Sequence, residues 1–334
     1  MVPILASASY DATIRFWDVN RGTPIDSITH KDSQINAMEI SCDRTLLALA
    51  CWQNLKLVDL YKKVIIATAD TLVKNVTSLC FIPNSTRLVT GGEDQRIRVW
   101  NTRGGQLHCE KIFELPNVVN SVCVHPNEST IVAADGQGGV YQWDLRSVKH
   151  SPAAVNGLNF GEHIISVAAS GNGNTIAGGT NQGRIFTWDV SSGNIDAKQQ
   201  PDGAPIPPNA NLAGGPLNLT PKSTINGHDT YITRVRFTPN SERLATTSAD
   251  GSVCLWDPEN LQNGKPVVKF EDTSDPPTGW VWDCAFTTST NSKYMISASG
   301  DCIMRLWDVQ TARVKNRFKG HNKPITAMVF RDVF

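Results

Sequence analysis

Thr246 to Asp257, TTSADGSVCLWD, is the stretch that decides how the rest of the chain is read. Leu244 and Ala245 lead an apolar run into a tight turn at Ala249-Asp250-Gly251, and Val253-Cys254-Leu255-Trp256 carries the chain back to Asp257. Asp-Gly between two such runs predicts a β-hairpin, because glycine accepts the positive φ that the turn demands. The phrase recurs. Ser9 to Asp18 reads SYDATIRFWD, Gly92 to Asn101 reads GEDQRIRVWN and Ser299 to Asp308 reads SGDCIMRLWD, so that in all four copies an aspartate stands six positions before a tryptophan. Weaker copies end at Trp143-Asp144 and Trp188-Asp189, with Gln137 and Gln182 in the aspartate's place. A seventh, at Leu55 to Asp59, is one residue short and has Val58 where the tryptophan belongs. Such self-similarity sets the architecture before any other inference.

With the tryptophan position as marker, Trp17, Val58, Trp100, Trp143, Trp188, Trp256 and Trp307 are separated by 41, 42, 43, 45, 68 and 51 residues. A blade of four antiparallel strands takes about 40–45 residues, so the markers predict seven blades in a single domain over 1–334, with two steps carrying insertions. The first insertion, 191–226, holds Pro201, Pro205, Pro207, Pro208, Pro216 and Pro221 among Gly and Asn. That composition predicts a long surface loop that neither packs nor pairs. The second falls between Asp257 and Trp280. Elsewhere strand patterns follow one another with turn signals between them, and helix signals are nearly absent. The chain opens in one strand pattern, Ile4-Leu5-Ala6-Ser7, and closes in another, Ile325 to Phe330, neither belonging to a complete blade. Pairing the two leaves no sheet edge at the seam. The expected fold is therefore all-β, a seven-bladed propeller closed by pairing the C-terminal strand with the N-terminal blade.

Lys plus Arg and Asp plus Glu balance at 31 each, which argues against a broad electrostatic footprint for nucleic acid or anionic lipid. No apolar stretch reaches the length of a membrane span, and the opening MVPILASASYD lacks the basic start of a signal peptide. The eight cysteines form no CxxC pair, and Cys80, Cys123, Cys254 and Cys284 fall inside apolar strand patterns. Buried free thiols in a reducing compartment, cytosolic or nuclear, are expected. The histidines lack HxH or HExxH spacing, so no metal site is expected. The glycines at Gly136, Gly138, Gly139, Gly171 and Gly173 lack a following helix and a Lys-Ser/Thr, so no phosphate loop or other cofactor site is expected either.

Over essentially its entire length the chain resembles the WD-repeat family. The resemblance implies blades of strands a (innermost) to d (outermost), each tied by a histidine from a Gly-His turn, a Ser or Thr in strand b, an Asp in the b–c turn and the Trp of strand c. His228, Thr246, Asp250 and Trp256 fill one such set, and His321, Ser7, Asp11 and Trp17 fill another across the join. Thr90, Asp94 and Trp100 have no histidine, while Ser297, Asp301 and Trp307 have Gly279 in its position. The second blade keeps His30 without the Asp or Trp and is expected to lean on its neighbours. A hydroxyl, a histidine and an aspartate also suggest a hydrolase. Yet a nucleophile needs an exposed hydroxyl with an oxyanion site opposite, whereas these hydroxyls are expected to face an indole N–H, which only donates. No enzyme activity is expected.

Function then rests on exposed surface. The entrances to strand a align as triplets, among them Gln34-Ile35-Asn36, Tyr231-Ile232-Thr233, Trp280-Val281-Trp282 and Pro324-Ile325-Thr326. The third member is Asn or Thr in five of seven triplets but Trp282 in one, and the first is aromatic at Tyr231 and Trp280. Tyr10 and Trp52 fall on or near b–c turns of the same face. Tyr10, Gln34, Asn36, Trp52, Tyr231, Trp280 and Trp282 are thus the candidate partner-binding residues, aromatic clusters being typical of interface hot spots. The alternative is that Trp282 plugs the channel and Trp280 packs on the 258–279 insertion. TGWVWDCAF (278–286), DSQINAMEI (32–40), LVTGGEDQRIRVW (88–100) and VHPNES (124–129) resemble the G-beta-like subunits of target-of-rapamycin kinase complexes. That resemblance implies a non-catalytic scaffold that binds and stabilises the kinase domain in nutrient and growth signalling, in the cytoplasm or drawn to endomembranes through the complex. A competing resemblance links Trp143-Asp144-Leu145-Arg146 to the WD-x-Arg box of substrate receptors for cullin-type ubiquitin ligases.

Overall fold

The inner strands of each repeat read as nearly unbroken apolar runs because they are covered on both faces. Leu46–Cys51 is buried at all but its first residue, and Thr130–Asp135 throughout. The outermost strands alternate, as Arg313–Lys319 does, since one face looks onto solvent. In the computed structural model, which describes residues 3–30, 34–70, 72–146, 150–192, 217–272, 279–288 and 292–332, these runs form seven antiparallel sheets of four strands each. We number them as blades: blade 1 holds both chain ends, then come 35–69, 76–114, 119–153, 164–226, 232–270 and 281–319 as blades 2 to 7. The expected join is formed. Ile325–Arg331 pairs antiparallel with Ile4–Ser9, from Ile4 opposite Arg331 to Ser9 opposite Ile325, and becomes strand a of blade 1.

The 191–226 segment departs from the expectation of an unpaired loop. Leu217–Asn226 is strand d of blade 5 and pairs with Arg184–Ser192 along its whole length. Pro221 is tolerated because it sits on an outer strand at a register shift opposite Trp188. The driving force is apolar. Leu217, Leu219 and Val190 are buried against Cys123, Val132 and Ala134 of blade 4. The proline-dense part, 193–216, lies outside the described residues. The second insertion contributes a short 3-10 turn, Leu261–Asn263, and strand Val268–Phe270, while 273–278 lie outside the description.

Blade 2 compensates for its missing residues with contacts on both sides. Met38, Leu47, Leu49 and Val58 pack with Ile14 and Phe16 of blade 1. Leu55 and Leu57 pack with Leu79, Leu88 and Trp100 of blade 3. None of the eight cysteines forms a disulfide among the described residues, and burial pushes the thiols of Cys123, Cys254 and Cys284 up to about 12, where they are inert. Among the described residues no helix is long and apolar enough to cross a membrane.

Candidate functional site

Two blades carry a complete buried hydrogen-bond chain. In blade 6 the Trp256 indole donates to Thr246 Oγ1 at 2.8 Å, Thr246 meets His228 Nε2 at 2.7 Å, and His228 Nδ1 meets Asp250 Oδ2 at 2.8 Å. In blade 1 the chain runs from Trp17 through Ser7 and His321 to Asp11, each step 2.8 Å. The glycine preceding each histidine has a packing reason. A Cβ on Gly227 would stand 3.2 Å from the Trp256 ring, and one on Gly320 3.1 Å from that of Trp17. Thr246 and Ser7 are wholly buried, so their hydroxyls brace the blade.

Burial pushes the Asp250 carboxyl up, but the hydrogen bond and charge of His228, with Ser252, outweigh it and hold the group well below the usual carboxylate range. Its contribution is therefore present above about pH 4 and lost as the pH falls through the native value. Asp250→Ala should lower stability to urea by about 1–2 kcal/mol at pH 7. It should leave partner binding intact well below the melting temperature, and equal loss of both would contradict a bracing role.

Where the histidine is missing, an arginine two residues before the tryptophan takes over. In blade 3 Trp100 donates to Thr90 at 2.9 Å, and Asp94 accepts from Arg98 at 2.5 Å. In blade 7 Trp307 donates to Ser297 at 2.8 Å, and Arg305 donates to Asp301, Asp272 and Ser299 at 2.5, 2.6 and 3.2 Å. In blade 5 strand b offers Gly178 instead of a hydroxyl, and the Trp188 indole donates to the Ala154 carbonyl at 2.8 Å.

The rim is built by a repeated backbone contact. In every blade an amide at the b–c turn donates to the carbonyl of the first triplet member: Tyr10 to Pro324, Trp52 to Gln34, Glu93 to Asn75, Gly136 to Val118, Asn181 to His163, Ala249 to Tyr231 and Gly300 to Trp280. Strand-a entrances and b–c turns therefore share one face. The polar third members have a bracing task of their own. Asn36, Thr77, Asn120, Thr233 and Thr326 each donate to the backbone carbonyl of the second member in the next blade, at 2.5–2.9 Å. Asn36, read above as a partner-binding candidate, thus commits its amide to an inter-blade latch, and Gln34 donates to Asn36 Oδ1 at 2.7 Å. Ile165 has no side-chain donor for this bond, and among the described residues the Trp282 indole does not make it.

The aromatic candidates spread over consecutive blades 6, 7, 1 and 2. Trp280 lies between Tyr231 and Trp282, its ring centroid 5.8 Å from the first and 5.2 Å from the second. Tyr231 and Trp280 remain 43% and 44% exposed, more than a packing role alone would leave open. Trp282 does line the axial channel, in a funnel of about 220 Å³ shared with Tyr10, Gln34 and Asn36. Trp282 thus both lines the channel mouth and packs on Trp280. Trp52 stands on the rim at the blade 2 turn, half exposed.

Below the funnel the sequence reading missed a group of charges. Ser78, Ser121 and Ser166 each accept a backbone amide of the next blade at 3.1 Å. The corresponding positions of blades 6 and 7 hold Arg234 and Asp283. Arg236 grips both oxygens of Asp283 at 2.9 and 3.1 Å. Burial pushes the Asp283 carboxyl up, and the charges of Arg236 and Arg234 override it and hold the group low. Charged letters inside apolar strands, in ITRVRF and VWDCAF, were the available signal.

Comparison with known proteins agrees with this architecture. The WD domain, G-beta repeat model matches residues 2–18, 68–101, 108–144, 219–257 and 264–308. The chain is 32% identical to the bovine target of rapamycin complex subunit LST8, with 98% of this chain and 95% of the relative aligned. It is 33% identical to the Drosophila melanogaster protein LST8 homolog over 98% of this chain and 96% of that protein. With the Saccharomyces cerevisiae target of rapamycin complex subunit LST8 it shares 32% identity over 77% of each chain. Nothing in these names favours the ligase alternative, whose Trp143–Arg146 box here ends strand Val140–Asp144 and turns at 145–146, where Asp144 Oδ1 accepts the Arg146 amide at 2.9 Å. With seven blades, two complete hydrogen-bond chains and this similarity over nearly its whole length, the chain belongs to the LST8 family of WD-repeat proteins.

Proposed function

We propose that this protein is a non-catalytic scaffold subunit of a target-of-rapamycin kinase complex, and that its aromatic rim binds the kinase domain and stabilises its active form. The observation that carries the reading is the stack of exposed Tyr231 and Trp280 on the half-buried Trp282. Aromatic anchors held rigid before docking lose little entropy on binding, so more of their buried area shows as affinity. Tyr10, Gln34 and Trp52 extend the same face over blades 1 and 2. A partner that binds only the ordered kinase shifts its population toward that state. The protein would act in the cytoplasm and reach endomembranes through the complex.

Trp280→Ala combined with Trp282→Ala should weaken association with the kinase about 10- to 100-fold in a binding titration. The melting temperature should change little, because both side chains lie at the rim. Full association by the double variant would remove this face from consideration.

A further inference from the structure

Arg234 stands at the waist of the axial channel, lining both the funnel of about 220 Å³ and the cavity of about 260 Å³ beneath it. A guanidinium carries five N–H donors in a fixed fork. Among the described residues those of Arg234 make no hydrogen bond, its Nε is buried without an acceptor, and its ionic neighbour Asp283 Oδ1 is 3.6 Å away. That carboxylate is already gripped through both oxygens by Arg236. Two guanidiniums share the Asp283 carboxylate; the other acid nearby, Glu39, lines only the lower cavity and faces Arg236, so the positive charge that faces the funnel is that of Arg234. Leaving its donors without an acceptor costs free energy, since only 19% of the Arg234 side chain is exposed. Blade packing does not demand it, because blades 3, 4 and 5 place Ser78, Ser121 and Ser166 at this level.

The geometry points to an anion site on the funnel floor, in which Arg234 receives the carboxylate of an Asp or Glu side chain inserted by a partner protein docked on the rim. The inference rests on the rim reading above and adds the chemistry of one contact. The funnel is smaller than the ~300–1,000 Å³ of small-molecule pockets and has room for one side chain. Asn36, Asn75, Asn120 and Thr233 wall it with neutral polar groups. An arginine fork matches carboxylate and phosphate alike. The single positive charge favours the monoanion, and a phosphate dianion would also face Asp283.

The test uses the full chain titrated with a capped glutamate residue (N-acetyl, N′-methylamide) and read by indole emission, Trp282 being part of the funnel wall and Trp282→Phe identifying its share. Capped glutamate should give a saturable change at millimolar concentration, capped glutamine none. Arg234→Gln should abolish the change without lowering the melting temperature. In association with the kinase, Arg234→Gln should weaken binding about tenfold and flatten its salt dependence, with Arg234→Lys restoring part of both. An Arg234→Gln response equal to that of the unmodified chain, or tighter binding of inorganic phosphate than of capped glutamate, would overturn the assignment. Kinase binding kept by Arg234→Gln but lost in the double tryptophan variant removes the anion site and leaves the rim reading standing.

Discussion

Arg305→Met is expected to destabilise the protein by about 3–5 kcal/mol, the range for removing one partner of a buried charge pair. Arg305 is 1% exposed and is among the largest fully buried side chains. It donates to Asp301 from the b–c turn, to Ser299 from strand b and to Asp272 from the segment entering blade 7. Methionine fills the volume but leaves two carboxylates facing apolar surroundings. Asp301 is then without its guanidinium, and Asp272, only 3% exposed in its side chain, loses one of the two guanidiniums it pairs with, Arg317 being the other. Blade 3 supplies an internal comparison. Arg98 is less buried and pairs with Asp94, so Arg98→Met should cost about half as much or less. Equilibrium urea unfolding at pH 7 measures both. Equal losses for the two variants would mean that the multiple contacts of Arg305 add nothing, and its part as the substitute for a missing histidine would be withdrawn.

Blade number and closure were legible because each repeat ends in the same chemical event. A buried indole needs an acceptor and the hairpin before it needs a turn residue, so Asp and Trp recur at fixed offsets and mark the blades. The arginine substitution was less legible. Arg15, Arg98 and Arg305 all stand two residues before a tryptophan, yet blade 1 has His321 as well, and there Arg15 reaches only Thr13 at 3.4 Å. Letter and position alone do not say which arginine has become the brace; whether a histidine already holds the turn aspartate, as His321 holds Asp11, does. Strand d of blade 5 was hidden by proline content, although LNLT at 217–220 already alternates. The rim divides in the same way. Tyr231, Trp280 and Trp282 stand out because aromatic residues break a polar series, whereas Asn36 belongs to that series and its latch reaches a blade some forty residues away. The waist charges are legible only once the ring is closed, because Arg234, Arg236, Asp283 and Glu39 come from three blades.

Glu39 is the last of these, and replacing it should change stability by an amount that grows with pH. Glu39 lines the lower channel, faces Arg236 of blade 6, Arg331 of the C-terminal strand and Cys80 of blade 3, and accepts the Phe81 amide at 3.1 Å. Burial dominates over these favourable contacts and pushes its carboxyl from the ordinary 4.5 up to about 7. The sign follows from proton counting. Between about pH 4.5 and 7 the native state holds a proton that the unfolded chain has released, so stability falls as the pH rises through that window and levels off above it. At 1.36 kcal/mol per pH unit the penalty reaches about 3 kcal/mol, less whatever channel water recovers. Glutamine keeps the acceptor for the Phe81 amide without the charge. Glu39→Gln should therefore match the unmodified chain near pH 4.5 and exceed its stability by about 2–3 kcal/mol near pH 8. Urea unfolding across that range decides the matter. A variant less stable than the unmodified chain at pH 8 would mean that Glu39 is ionised and held by Arg236, and that the channel is electrostatically satisfied at neutral pH.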